Sequence, residues 1–502
     1  MWTWPNSGFS QCVPTAIMSE DLYDIVVVGG GPMGLSAAYQ CAVKEKKKVL
    51  VLEKFDDFGN AFGSSPGFSR QFRTCYSEKN LCELAIKSSG LWNNLMDDLD
   101  NHTLLNRTGC LWFGDSTVHN SEGNIDKAVE NLTEAGKEEG VYYDLIEGKE
   151  AILSDPRFSF VSQAVSCVKN AKALFVRHDG GTINVPALIE CFTAALRCSD
   201  YSTLLTKACV TSIDYSDPKE IRVLAKVSSG ENYTGVEKIQ EFHCAKVILT
   251  PGAYINDVLS TLKPTFPKRI NLTIYLWSST YFHREKRASC DDATSQDPSK
   301  WPIWYFFGQP KPLTDDGALD SNAYYGFPSE PDRPDFLRVA PAFTSKKKFD
   351  FDDYPPSSQH RPIDPDAMKF TSEFVQKSMP RLSSALIDDE QTTCIAGFAD
   401  INDESAGFVL DFLPDFEECA VQKMDHRIVV FTGGWGMKYV PAIGKILVDL
   451  ALRGKTTPEY ARLIEDMKIG RGILEDAMEQ GKKEKVELTP EQQTEKFHKM
   501  CS

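Results

Sequence analysis

Gly29-Gly30-Gly31-Pro32-Met33-Gly34 stands between a short apolar run and a stretch of good helix formers, and few folds accommodate that juxtaposition. Tyr23 to Val28 (Tyr-Asp-Ile-Val-Val-Val) is β-branched and ends at glycine, the pattern of a strand buried on both faces. Met33 to Val43 has helical spacing, and Lys48 to Leu52 reads as a second buried strand. Strand, glycine turn, helix and strand make a βαβ unit, so the chain opens an α/β domain. The glycines fit GxGxxG. Gly29 makes the tight turn, Gly31 lets the backbone approach a pyrophosphate, and Gly34 lets the helix pack closely on the strand. Pro32 and Met33 then open a helix whose N-terminus faces the phosphates. Glu53, followed by Lys54, closes the second strand, where a carboxylate reaches a ribose hydroxyl and disfavours the extra phosphate of NADP. The motif predicts a bound dinucleotide and leaves FAD and NAD both open.

Composition removes other classes. With 55 Lys and Arg against 71 Asp and Glu among 502 residues, the net charge of −16 repels nucleic acid and acidic membrane faces. Ile25 to Val43 is uncharged and long enough to span a bilayer, but Gly29 to Gly31, Pro32 and Gly34 interrupt it, so no span is expected. The 14 cysteines form no CxxC pair and no clustered framework, which favours a reduced, intracellular setting, cytoplasmic or organellar. Residues 1–19 lack the basic and apolar regions of a signal peptide, and Met500-Cys501-Ser502 is not a peroxisomal address of the Ser-Lys-Leu type. No metal site is expected.

Beyond the opening unit the alternation is irregular. A polar helix is expected near 124–138, another from Pro186 to Arg197, and a third from Val440 to Arg453. Lys246 to Thr250 and Arg427 to Thr432 read as further buried strands, the first ending in Pro251-Gly252-Ala253. The aromatic crowd from Leu272 to Phe307 favours antiparallel strands of a separate sheet. Residues 345–366 read as a solvated loop, and the chain after 455 as a charged helical tail. Arg70 and Arg73 are three apart, so on a helix or turn they share a side, where two cations in an acidic protein suit an anionic ligand.

Four ordered segments resemble the sarcosine oxidase family of FAD-dependent amine and amino acid oxidases, which includes the N-methyl amino acid, pipecolate and fructosyl amino acid oxidases. They are the glycine turn; Gly63-Ser64-Ser65-Pro66-Gly67-Phe68-Ser69-Arg70-Gln71-Phe72-Arg73; Tyr324-Tyr325-Gly326-Phe327-Pro328; and the stretch from Thr393-Cys394 through Phe408-Val409-Leu410-Asp411 to Gly434-Trp435-Gly436-Met437-Lys438. The resemblance implies an α/β (α+β overall) fold, with a Rossmann-like FAD-binding domain and a second antiparallel-sheet substrate domain. Residues 20–100, 166–260 and 385–455 would form the first, 101–165 and 261–384 the second, and 456–502 a helical tail. It also implies a monomer in which Arg73 and Lys438 clamp a substrate carboxylate. Arg70 would lie over the flavin, and Tyr325 would wall the pocket. Ser69, Gly252, Gly434, Gly436 and Met437 would contact the cofactor, and Cys394 occupies the family's covalent attachment position. The implied chemistry is oxidation of an amino or imino acid to an imine, with hydride transfer to flavin and reoxidation by O2 to give H2O2.

Two departures bear on that expectation. Arg338 stands where the family has the lysine that promotes oxygen reaction, and Arg is bulkier and effectively never deprotonated. A dehydrogenase using another acceptor, an inert flavin-binding protein, or a second acidic group of the substrate on Arg338 therefore stay open. Pro66 and Ala342 fall where the sarcosine enzymes have histidines, which predicts more room and a substrate larger than sarcosine.

Overall fold

The structure is a computed structural model that describes residues 22–59, 63–120, 122–228, 237–284, 297–312, 319–320, 322–342, 365–379, 382, 391–399, 407–415 and 424–477. The N-terminal segment, the expected loop up to 364 and the C-terminal Met500-Cys501-Ser502 lie outside the described residues. No described helix is long and apolar enough to cross a membrane.

The βαβ unit forms as read. Leu22–Val28 lies in a nine-stranded sheet, parallel to Val49–Leu52 on one side and to the end of Glu237–Leu249 on the other. Its continuous apolar run divides by alternation. Ile25 and Val27 join a core with the helices, while Val26 and Val28 join a second core on the opposite face. Glu237–Leu249 is long enough for two jobs. Its first half pairs antiparallel with Ile221–Ser228, and its last residues pair parallel with Ile428–Thr432. Pro32–Tyr39 runs on into a π-helical turn at Gln40–Lys44 and packs on Val440–Arg453. That contact is close because Gly444 has no side chain: a Cβ there would sit 2.2 Å from Ser36 Oγ, which donates to Val440 O at 2.9 Å.

The aromatic region builds a second, eight-stranded sheet in the order Gln391–Ala399, Leu272–His283, Phe336–Pro341, Ala323–Gly326, Ile303–Phe307, Cys110–Asp115, Ala171–Val176 and Tyr143–Glu147. It is antiparallel except where Ile303–Phe307 runs parallel to Cys110–Asp115. Ala171–Val176 and Gln391–Ala399 belong to this sheet, although the expected boundaries put both with the first domain. The tail differs too. After the helix Pro458–Leu463 it adds a strand, Leu474–Asp476, that pairs with Lys268–Ile270.

One local expectation is corrected. Ser69–Arg73 is a strand, paired with Gly180–Asn184, and not a helix or turn. Residues three apart on a strand leave opposite faces, yet Arg70 and Arg73 both border one cavity.

A Cβ on Gly34 would lie 2.0 Å from Gly29 O, a contact with rigid backbone. Gly34→Ala is expected to cost about 2 kcal/mol or more, seen as a lowered midpoint in chemical denaturation of the whole chain.

Candidate active site and cofactor cleft

Between the carboxyl ends of the parallel strands and the second sheet lies a cavity of about 320 Å³. Gly29, Gly31, Pro32 and Met33 form one wall, as a dinucleotide turn should. Gly29 has φ +107°, and a Cβ on it would strike Thr250 O at 2.5 Å, so glycine is required by both conformation and space. Gly31 is different. Its φ of −73° suits any residue, and a Cβ there would meet nothing within 4 Å. The space in front of this helix N-terminus is therefore open, and a pyrophosphate fits where a side chain would otherwise project. Glu53 is buried, and its carboxylate accepts from Gly30 N at 2.7 Å and Phe55 N at 2.9 Å. Burial pushes its pKa up while those two N–H groups hold it down, so the carboxylate braces the turn as well as facing the cleft. Lys54, Phe55, Tyr254 and Gly252 continue the same wall, with Lys54 Nζ over both aromatic rings.

At the other end the cavity reaches Arg73 and Lys438 together. Arg73 Cζ stands 4.6 Å from the centroid of the Tyr76 ring, and Lys438 Nζ stands 5.3 Å from the same centroid. Two structural devices place Lys438. Its segment, Gly436–Tyr439, is a single 3₁₀ turn that leads into Val440–Arg453. Its carbonyl accepts from Ser88 Oγ at 2.8 Å and Trp92 Nε1 at 2.9 Å, both on the buried face of Lys79–Asp98. Burial, reinforced by the Arg73 charge, pushes the Lys438 ammonium down to about 7, although Glu122 works the other way. Glu122 is the member of this group that sequence reasoning missed. It borders the cavity and is ion-paired to Arg73 Nη2, and its charge holds the guanidinium protonated against burial. Arg73 Nε and the Tyr305 hydroxyl are buried without a hydrogen-bond partner among the described residues, and both side chains border the cavity.

Arg70 serves the cleft through its loop. Its Nη2 donates to Ser64 O at 2.7 Å and Pro66 O at 2.6 Å, which binds the Gly63–Gly67 turn over the cavity. Burial works most against its charge, and neighbouring Arg338 adds to that. Arg338 borders the cavity but is already engaged. Its Nη2 lies 3.2 Å from Glu330 Oε1 and donates to Ser69 O and Oγ, and its guanidinium packs 3.7 Å from the Phe327 ring centroid. Glu330 in turn accepts from Ser69 Oγ and, at 2.5 Å, from Tyr281. Ser69 thus belongs to this buried cluster and does not line the cavity, contrary to its expected role at the cofactor. Arg338 is thus ion-paired through Nη2, while its Nε is buried without a hydrogen-bond partner among the described residues.

Tyr325, Trp277, Tyr305, Phe327 and Trp435 form the aromatic wall, with Trp277 Nε1 donating to Tyr325 Oη at 2.6 Å. Burial, and then Cys394, hold the Tyr325 hydroxyl well above its ordinary pKa. Cys394 lies opposite Trp277 in the strand pair and borders the cavity, as do Gly434, Gly436 and Met437. The expectation of extra room fails at its source. Ala342 is packed in the core and Pro66 only offers its carbonyl to Arg70, so neither lines the cavity.

The model of the family described as FAD dependent oxidoreductase matches residues 24–450. A Dictyostelium discoideum protein that carries the name of a bifunctional amine oxidase is 30% identical over 447 residues, 87% of this chain; the match covers 36% of that longer protein. Monomeric sarcosine oxidase of Bacillus sp. (strain B-0618) is 25% identical over 463 residues, 91% of this chain and 98% of that enzyme. Among solved structures, the open form of NikD, an amino acid oxidase essential for nikkomycin biosynthesis, superposes with a TM-score of 0.66 at 26% identity. That superposition covers 88% of this chain and 97% of NikD.

Gly31→Val is expected to leave the fold intact and abolish retention of flavin, read as lost visible absorbance with an unchanged far-ultraviolet circular dichroism spectrum. Lys438 carries its charge below pH 7 and loses it above. If only the ammonium form grips a carboxylate, a simple carboxylic acid should bind about tenfold more weakly at pH 8 than at pH 6. Lys438→Arg should flatten that dependence, and titration of the holoenzyme by flavin absorbance measures both.

Proposed function

The chain belongs to the FAD dependent oxidoreductase family, as a sarcosine oxidase-like amine or amino acid oxidase, and we propose that it oxidises a secondary, N-alkyl or cyclic amino acid to its imine. The observation that carries this reading is the placement of Arg73 and Lys438 around one Tyr76 ring, on the cavity that also holds the dinucleotide turn. Gly31, Glu53, Lys54, Gly252 and the Gly434–Met437 turn would hold FAD, and Cys394, which borders the same cavity, would carry a thioether to it. When bound, FAD supplies the two-electron acceptor for oxidation of a carbon–nitrogen bond.

The chain's own residues orient and select. Arg73, with its unpartnered Nε, and Lys438 take the carboxylate, a fork and a point charge around one anion. That fixes the carbon next to nitrogen in a single place, which converts binding into orientation. Trp277, Tyr305, Tyr325 and Trp435 exclude water from that carbon and accept an apolar ring or alkyl chain. The amine reacts in its neutral form, its proton given up to water before it binds, so that the nitrogen lone pair supports the developing iminium.

A dehydrogenase that passes electrons to an acceptor other than O2 is the second reading, favoured by the neutralisation of Arg338 by Glu330. Anaerobic addition of N-methyl and cyclic amino acids to purified protein should bleach the flavin, and absence of bleaching with every member of the panel rejects the proposal. Peroxide formed on admission of air separates oxidase from dehydrogenase. Arg73→Ala and Lys438→Met should each raise KM about 10- to 100-fold, the worth of one hydrogen bond to a charged group. Acid precipitation should give a yellow pellet from the unaltered protein and a colourless one from Cys394→Ala.

A further inference from the structure

On the premise of the amine oxidation proposed above, we infer that Glu122 is a specificity-determining residue that accepts a hydrogen bond from the substrate nitrogen, so that the grip selects an amine and carboxylate together rather than an anion alone. Two cations by themselves would make a general anion site. Glu122 changes that. It is a carboxylate inside the same cavity, on the same guanidinium that is expected to hold the substrate carboxylate. Side chains of the pair are 4% and 10% exposed, so this is a desolvated pair and not a surface contact.

The loop that carries Glu122 is built to hold it there. Its backbone N–H donates to Asn120 Oδ1 at 2.9 Å. Next, Gly123 takes φ +95° against Ser77, where a Cβ would lie 1.9 Å from Ser77 Oγ. Asn124 then caps the helix Ile125–Glu139, accepting from Asp126 N and Lys127 N, and its own N–H donates to Ser77 Oγ at 2.8 Å. The backbone that carries Glu122 is thereby fixed, and the ion pair to Arg73 directs its carboxylate.

The atoms left over define the complement. Glu122 pairs through Oε2, and Oε1 has no hydrogen-bond partner among the described residues. Arg73 Nε is a buried donor, also without a partner among them. An open donor and an open acceptor on adjoining side chains match a carboxylate and an N–H borne on the carbon next to it, which is the arrangement of an α-amino or α-imino acid. A ligand with the carboxylate but no nitrogen leaves the acceptor unmet and sets its anion against Glu122.

The test compares pipecolate with its nitrogen-free analogue cyclohexanecarboxylate on the anaerobic holoenzyme. Binding is read from the concentration dependence of flavin reduction or of spectral perturbation. The unaltered protein should prefer pipecolate by about tenfold or more. Glu122→Gln should weaken pipecolate and strengthen cyclohexanecarboxylate, because Arg73 is released to the anion, whereas Glu122→Asp should keep much of the original preference. Equal weakening of both ligands by Glu122→Gln, or no change in either, overturns the inference while leaving the amine oxidation standing. Failure of the unaltered protein to bind either ligand, with no bleaching by any amine, overturns both.

Discussion

Burying a guanidinium is the constraint around which this site is organised. Arg73 and Arg338 are each 3% exposed, and a lone charge at such depth would cost several kcal/mol. Each is matched with one carboxylate, Glu122 for Arg73 and Glu330 for Arg338. Arg338 reaches Ser69 and Glu330 through Nη2 and packs on the Phe327 face, so it works as a strut between the second sheet and Ser69–Arg73. Both guanidinium groups border the cavity, and each has an Nε without a hydrogen-bond partner among the described residues.

Lys438 is the contrast that makes the site chemically responsive. Burial works most against its charge, Arg73 adds a repelling cation and Glu122 is only a shared anion, so the ammonium is pushed down to about 7. Its backbone, by comparison, is held rigidly by Ser88 and Trp92. Position is fixed while charge is adjustable. The same economy runs through the cofactor end, where Glu53 both braces the glycine turn and faces the cleft.

Legibility followed the range of the interactions. The βαβ unit and the helix Val440–Arg453 could be read because apolar periodicity and glycine punctuation act within a few residues. The Arg70 and Arg73 spacing misled, because pairing with Gly180–Asn184, more than a hundred residues on, imposes a strand where a turn was expected. Glu122 carried no signal at all. It lies in a polar stretch before a helix, and only the fold carries it to Arg73.

The linear chain alone determined the dinucleotide turn, the helix that opens from it, and the identity of the cations at Arg73 and Lys438. What only the tertiary structure decided is which charges are neutralised and which are left for a ligand. Glu122, Glu330, Ser88 and Trp92 reach their partners through sheet register and helix packing, contacts that no local pattern encodes. Electrostatic energy in a desolvated cavity is set by distances of a few ångströms between residues remote in sequence, so the chemistry is decided at the level where those distances arise.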